Sequence, residues 1–413
     1  MKTNDVHVEL PTSKSMSNRW LIVNHIIGQA YMLRNLSTSD DTQLLSVLLT
    51  QLRHGTSKTF YCRNAGTAAR FMMALLAFTP GKWMLTGDDR LKQRPMAPLI
   101  DCARSLGAEI RCLEEEGFLP VEITGVIPDH KMANIDPVMS SQFVSAMLMA
   151  GCLLPDGLRL TLTGRASSRP YIQMTQAVLK QADIANSVSA NNRVYKVAPV
   201  TPIHSMTHKV IDIERDWSSA AYVYGAAALM PHVRLRMQGL SLSNSFQGDK
   251  VVADIFSHLG VVTREMKSPY KASVRSVTVE GNGMADSSLE YNFIDCPDLL
   301  PVVITVCAAL GVNAKLKGVK NLRLKESDRL AVLQKELHKM GGVMDVTENE
   351  VTIHPCELNP TEPVCAHDDH RIAMAFGILS IKYPQLVVDK PQTVSKSWPD
   401  FWNQLVAIKE KRK

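Results

Sequence analysis

Residues 140–164 read SSQFVSAMLMAGCLLPDGLRLTLTG. Two serines open the run, and Ser suits a helix N-cap because its side-chain oxygen accepts one of the free N–H groups of the first turn. The residues after them are apolar on nearly every side of a 3.6-residue wheel, which predicts a helix buried all round. RLTLTG (159–164) then reads as a short strand ending in a turn. YIQMTQAVLKQA, from Tyr171, predicts a second, amphipathic helix.

This order recurs. Apolar helices begin at Ser17 (SNRWLIVNHI), Gly66 (GTAARFMMALLAF), Ser140, Ser218 (SSAAYVYGAAALM), Asp298 (DLLPVVITVCAAL) and Asp369 (DHRIAMAFGILSI). Each leads to a short strand: YMLRNL, WMLTG, RLTLTG, VRLRMQG, AKLKG and LVVDKP. Second helices such as MAPLIDCARSLGA, KVVADIFSHLG and RLAVLQKELHKMGG run into a Gly and a further strand, with Gly where a helix ends. The unit is β-α-β-α-β-β, and six such units in 413 residues, three to a domain, predict two similar α/β domains. The interval from Tyr31 to Trp83 is shorter than the others. RHGTSKTFYC (53–62) stands where a helix end and two or three strands belong, so the first unit reads as truncated.

Hydrophobic content of 45% and charged content of 21% are those of a globular protein. The net charge of +6 is modest and the basic residues are scattered. KEKRK at the end reads as a solvated tail, and no set of stacking aromatics accompanies it, so nucleic acid is not an expected partner. None of the eight cysteines forms a CxxC pair, the first ten residues lack the apolar core of a signal peptide, and no apolar run approaches a membrane span. A cytoplasmic protein is expected, with no membrane partner.

Chemistry concentrates in five short segments. LRLKESDRL (322–330) sets Lys325, Glu326, Asp328 and Arg329 side by side, pairing anion-holding cations with a carboxylate that can move a proton. PTSKSMSNR (11–19), NAGTAAR (64–70), RLKQRP (90–95) and DDHRIAM (368–374) each bring Arg, Lys or small hydroxyl residues to a helix mouth, where the helix dipole favours anions. The ligand expected is small and multiply negative. His367, Asp368, Asp369 and His370 point in different directions as neighbours in sequence, so no metal is expected.

These segments, with SSQF, SRPY (168–171), the PD at 297–298, NLRLKESDR and SKSWPD (395–400), occur in the order found in the 5-enolpyruvylshikimate-3-phosphate synthase family, which the chain resembles over nearly its whole length. The resemblance implies the inside-out α/β prism of enolpyruvyl transferases, an α/β fold of six βαβαββ-type repeats in two domains. One domain would hold 13–211 and the other 1–12 with 212–413, the active site lying in the cleft between them. It implies transfer of the enolpyruvyl group of phosphoenolpyruvate to the 5-hydroxyl of shikimate 3-phosphate by addition and elimination, in a monomer with no cofactor.

The resemblance carries over residue by residue. Phosphoenolpyruvate would be held by Lys14, Gly66, Arg94, Gln142, Arg329, Arg371 and Lys396. Shikimate 3-phosphate would be held by Lys14, Ser15, Arg19, Ser140, Ser141, Gln142, Ser168, Tyr171, Asp298, Asn321 and Lys325. Asp298, Glu326 and Lys14 would be catalytic, Asp298 holding the attacking hydroxyl and Glu326 exchanging the proton at C3. Asp216 and Asp369 are read as groups orienting Arg or Lys side chains. Ser218 and Ser219 are read as capping and packing. Thr12 and Arg215 stand where the family commonly has glycine, and Phe71 where it commonly has proline. Two other readings share the cations: transfer to UDP-N-acetylglucosamine, whose enzymes carry a reactive Cys near the stretch 85–100, and non-catalytic binding of a phosphate-rich ligand.

Overall fold

The computed structural model describes residues 5–200, 209–267 and 275–411. They form two compact units, one of 14–213 and the other of 1–13 with 214–413, so the chain leaves the second unit after its first strand and returns to it later.

That first strand is β1 (Val6–Val8). The 14–213 unit then contains α1 (Lys14–Ile26), β2 (Met32–Arg34), α2 (Asp40–His54), β3 (Thr59–Tyr61), α3 (Gly66–Ala77), β4 (Gly81–Thr86), the short α4 (Asp89–Lys92), α5 (Ala97–Ser105), β5 (Glu109–Cys112) and β6 (Val121–Gly125). It continues with β7 (Met132–Ile135), α6 (Ser141–Ala150), β8 (Leu158–Leu162), α7 (Arg169–Gln181), β9 (Asn186–Val188), β10 (Val194–Val197) and β11 (Val210–Asp212). Its sheets run β3-β4-β6-β5, β7-β8-β10-β9 and β11-β2. In the four-stranded sheets the first two strands are parallel, as a strand–helix–strand crossover requires, and the last two join antiparallel. The crossover helices α3 and α6 are buried along almost their whole length, as apolar wheels demand.

The other unit repeats the plan. After β1 come α8 (Trp217–Leu229), β12 (Arg234–Gln238), α9 (Val252–Ser257), β13 (Val261–Lys267) and β14 (Arg275–Gly281), giving the sheet β1-β12-β14-β13. Then come β15 (Ser288–Asn292), α10 (Leu300–Leu310), β16 (Asn313–Lys317), α11 (Arg329–His338), β17 (Val343–Val346) and β18 (Glu350–His354), giving β15-β16-β18-β17. α12 (His370–Gly377) and α13 (Phe401–Glu410) close the chain. Each unit has its own apolar core, built around its buried helices.

The first unit is truncated as the sequence predicts, and the sixth departs from the expected pattern. In the first, the helix is whole: α2 is 15 residues long and ends at Gly55, whose φ of 63° turns the chain out of the helix. Among the described residues the missing part is the antiparallel strand pair, and β2 pairs only with β11. In the sixth, LVVDKP forms no strand among the described residues and contributes an isolated bridge between Val364 and Val388.

Candidate active site

In the unit of 1–13 and 214–413, α11 starts at Arg329 because the Asp328 carboxylate accepts from the Ala331 N–H at 3.1 Å. Arg329 is only 1% exposed. A buried guanidinium needs acceptors, and three carboxylates supply them. Its Nε donates to Asp369 Oδ2 at 2.8 Å, its Nη1 to Asp298 Oδ1 at 3.0 Å and its Nη2 to Glu326 Oε2 at 2.8 Å. Arg371, from the first turn of α12, donates to Asp298 Oδ2 at 2.8 Å. Lys325 Nζ lies 3.5 Å from Asp298 Oδ1, and Lys396 Nζ lies 3.7 Å from Glu326 Oε1. Asn321 sits in the short 3-10 turn between β16 and Lys325.

Burial alone would raise the pKa of Asp298. Arg371, Lys325 and Arg329 outweigh it and hold the carboxyl well below the usual range. Burial likewise lowers Arg329, but Asp369, Glu326 and Asp298 outweigh that and raise it above its ordinary value. Both groups are therefore charged at neutral pH. In the free protein Asp298 is a fixed acceptor rather than a proton store.

Close by, Asp249 is 2% exposed and accepts from the Ser218 hydroxyl at 2.5 Å. Burial first, and then neighbouring Asp298, push it up to about 6. Asp369 orients Arg329 and also accepts from the Arg371 N–H. Asp216 does not orient a cation in this way. It caps α8, accepting from the Ser219 N–H and hydroxyl at 2.8 and 2.7 Å, which corrects the sequence reading. The side chains of His367 and Asp368 diverge to Glu336 and Lys390. Among the described residues no three His, Cys, Asp or Glu side chains gather as metal ligands.

In the unit of 14–213, α3 opens at Gly66. A Cβ there would stand 2.5 Å from Arg94 Nη1 and 2.6 Å from Arg70 Nη1. Only glycine lets both guanidinium groups close onto this helix start, where the backbone N–H groups add partial positive charge. Arg94 is 6% exposed, and its Nε and Nη1 are buried without a hydrogen-bond partner among the described residues. Such donors are costly to bury, which marks this as a place for an anion. Arg70 Nη1 donates to Gln142 Oε1 at 3.0 Å, and Gln142 Nε2 donates to Thr67 Oγ1 at 3.1 Å, tying α6 to the same corner.

Lys14 begins α1 and donates to Asp41 Oδ2 at 3.2 Å. Arg19, one turn on, is buried. It donates to Thr175 Oγ1 at 2.7 Å, to the carbonyl of Ser15 at 2.9 Å, to Ser145 Oγ at 3.2 Å and to the carbonyl of Tyr171 at 3.1 Å. Its guanidinium lies over the rings of Phe71 and Tyr171 at 5.5 and 5.9 Å. Burial pushes its pKa down to about 10, which leaves it charged at neutral pH. The Ser140 hydroxyl caps α6 by accepting from the Gln142 N–H at 3.2 Å, and Ser141 is buried beside it. Ser168, ahead of α7, holds a left-handed backbone at φ 54°, a conformation often kept where function requires it.

Two residues beside these side chains were assigned no ligand in the sequence reading. Arg70 lies in the quoted NAGTAAR, one helical turn past Gly66, and that spacing sets it back over the helix start. Asp41 had only the weak signal of an acidic pair at the start of α2.

The chain matches the family described as EPSP synthase (3-phosphoshikimate 1-carboxyvinyltransferase) over residues 3–405. It is 35% identical to the 3-phosphoshikimate 1-carboxyvinyltransferase of Bacteroides fragilis (strain YCH46), covering 96% of this chain and 94% of that one. It is 31% identical to the Vibrio vulnificus protein of the same name, covering 98% and 96%. Its fold is similar to that of EPSP synthase from Acinetobacter baumannii, with a TM-score of 0.72 at 20% identity over 97% of this chain and 95% of that one. The enolpyruvyl transferase NikO from Streptomyces tendae also gives a TM-score of 0.72, at 14% identity over 97% and 94%.

Proposed function

This chain belongs to the EPSP synthase (3-phosphoshikimate 1-carboxyvinyltransferase) family, and from that premise we propose that it transfers the enolpyruvyl group of phosphoenolpyruvate to the 5-hydroxyl of shikimate 3-phosphate, releasing phosphate. The observation that carries this reading is the placing of Asp298 between Arg329, Arg371 and Lys325, with Glu326 on the same guanidinium. Fixed cations suit a substrate with a carboxylate and a phosphate, and two carboxylates stand ready for proton work.

The reaction begins as the 5-hydroxyl attacks C2 of the enol, while C3 takes a proton and becomes a methyl group. The hydroxyl proton is lost, giving a tetrahedral intermediate. C3 then gives up a proton, the bond from C2 to the phosphate oxygen breaks, and inorganic phosphate leaves. In this reading Asp298 accepts the hydroxyl's hydrogen bond. Substrate anions that engage Arg371, Arg329 and Lys325 weaken their hold on Asp298 and raise its basicity as the substrates arrive. Glu326 exchanges the C3 proton, with Lys396 and Lys14 stabilising developing charge. Arg94, Gly66 and Gln142 join Arg329, Arg371 and Lys396 on phosphoenolpyruvate. Lys14, Ser15, Arg19, Ser140, Ser141, Gln142, Ser168, Tyr171, Asn321 and Lys325 receive shikimate 3-phosphate.

In this reading the chain acts as a monomer. The eight cysteines are unpaired, which suits the reducing cytoplasm. No helix of the described residues is long and apolar enough to cross a membrane.

Transfer to UDP-N-acetylglucosamine is disfavoured by Cys102, which lies nearest the position of that enzyme's reactive thiol. Here it is buried on α5 and its pKa is pushed up to about 12, chiefly by burial, so it forms little thiolate. The test is phosphate release from phosphoenolpyruvate with each acceptor in turn. Release with shikimate 3-phosphate alone is expected. Release with the sugar nucleotide, or with neither, defeats the proposal.

A further inference from the structure

Two neighbouring residues just before α12 hold left-handed backbones that side chains rarely adopt: His367 at φ 50° and Asp368 at φ 55°. A strained turn persists only where its surroundings hold it, and each of these side chains is tied to a different element. His367 Nε2 lies 3.3 Å from Glu336 Oε1, and both oxygens of Asp368 accept from Lys390 Nζ at 3.0 Å. Glu336 is fully buried on α11, and its Oε2 accepts from the Cys365 N–H at 2.9 Å and from Lys339 Nζ at 2.7 Å.

Glu336 lies two turns beyond Arg329 on the same helix and so on nearly the same face. α11 therefore holds the segment 365–371 at two places, through Arg329 on Asp369 and through Glu336 on Cys365 and His367. The residues that leave this segment are Asp369, which orients Arg329, and Arg371, which grips Asp298.

We infer that Glu336, acting through His367 and the Cys365 N–H, is a positioning residue that sets Arg371 against Arg329 for anion binding. A single attachment at Asp369 would leave the turn free to pivot about it. The second attachment fixes its angle, and with it the spacing of the two guanidinium groups. The buried carboxylate spends its oxygens on Cys365, Lys339 and His367, so its influence reaches Arg371 through the turn. This inference rests on the reading of Arg371 and Arg329 as phosphoenolpyruvate ligands.

The test is steady-state kinetics of phosphate release on the full chain, varying each substrate in turn, with thermal melts alongside. Glu336→Ala should raise KM for phosphoenolpyruvate about tenfold, the scale on which small misplacements of binding groups act, while KM for shikimate 3-phosphate stays within about twofold. Glu336→Gln keeps an acceptor for the Cys365 N–H and should recover part of the loss. His367→Asn supplies a residue that tolerates the left-handed backbone but cannot reach Glu336, so its melting temperature should hold while KM for phosphoenolpyruvate still rises. If Glu336→Ala does not fold, His367→Asn decides alone. Folded variants with wild-type KM for phosphoenolpyruvate overturn the inference, as does an equal rise in both KM values. No turnover by the wild-type protein defeats the reading of function and this inference with it. Turnover by wild type with unchanged variants defeats this inference alone.

Discussion

Asp298 and Asp249 show how one cluster sets two carboxylates to opposite ends of their range. Asp298, paired by Arg371, Lys325 and Arg329, is held far below the ordinary value of 3.8. Its folded pKa is depressed, so its contribution to stability is fully present above the unfolded value and is lost as pH falls below about 4. Asp298→Asn should therefore melt lower than wild type at neutral pH, and the gap should narrow as the pH drops below about 4. A gap that is constant with pH would contradict the pairing. The same variant should lose on the order of 10²- to 10⁴-fold in kcat, the range expected of a positioned proton-handling group. Asp249 is raised to about 6, so the native state binds its proton more tightly than the unfolded chain does. It stabilises at low pH and costs stability as pH rises from about 4 through 6. Asp249→Asn should raise the melting temperature at about pH 8 and have little effect at about pH 4. At this scale the sequence was informative about residue types and poor about partners. Lys325, Glu326 and Arg329 stood together in one segment. The pairing of Lys14 with Asp41 and of Arg94 with Gly66 depends on how separate elements pack, which spacing alone does not give.

Among the elements, the buried crossover helices were the most legible feature, because an apolar wheel headed by a capping residue has few other homes. All six are present, and four of them stand between strands that pair directly. α2 fills the second-helix place of the first unit, and its run LLSVLLTQL was not among the quoted second helices because it lacks the strands that flank the others. LVVDKP has strand residues but among the described residues forms a bridge from Val388 to Val364 rather than a strand. The N-terminus of α3 carries its own prediction. Gly66→Ala meets the ends of two flexible side chains rather than backbone, so the fold should survive with a small change in melting temperature. Displacing Arg94 and Arg70 by a fraction of an ångström should nevertheless raise KM for phosphoenolpyruvate by about tenfold or more. A variant with unchanged KM would remove this helix start from the site.

Across the whole molecule, the chain order and the spatial order differ. Val6, Val8 and Leu10 are buried in the core of the half formed by 214–413, and Val8 pairs with Met237 across β1 and β12. A charge placed there, Val8→Asp, should cost about 3 kcal/mol or more. Hydrogen exchange should locate the loss in residues 214–411, with 14–200 keeping their protection. Loss spread evenly over both halves would contradict two separate cores. The repeated helix-then-strand pattern was enough to count the units. The shortened first unit was visible in its spacing, whereas which strands pair, as β2 with β11, is a long-range property that local patterns carry weakly.

Enolpyruvyl transfer by addition and elimination is tested most directly by mass spectrometry of the product formed in D2O from phosphoenolpyruvate and shikimate 3-phosphate. Protonation of C3 to a methyl group followed by loss of one hydrogen predicts an enolpyruvyl ether of shikimate 3-phosphate that carries deuterium at C3. Formation should slow markedly in Glu326→Gln. Phosphate released without the ether, or an ether without deuterium, would contradict the account.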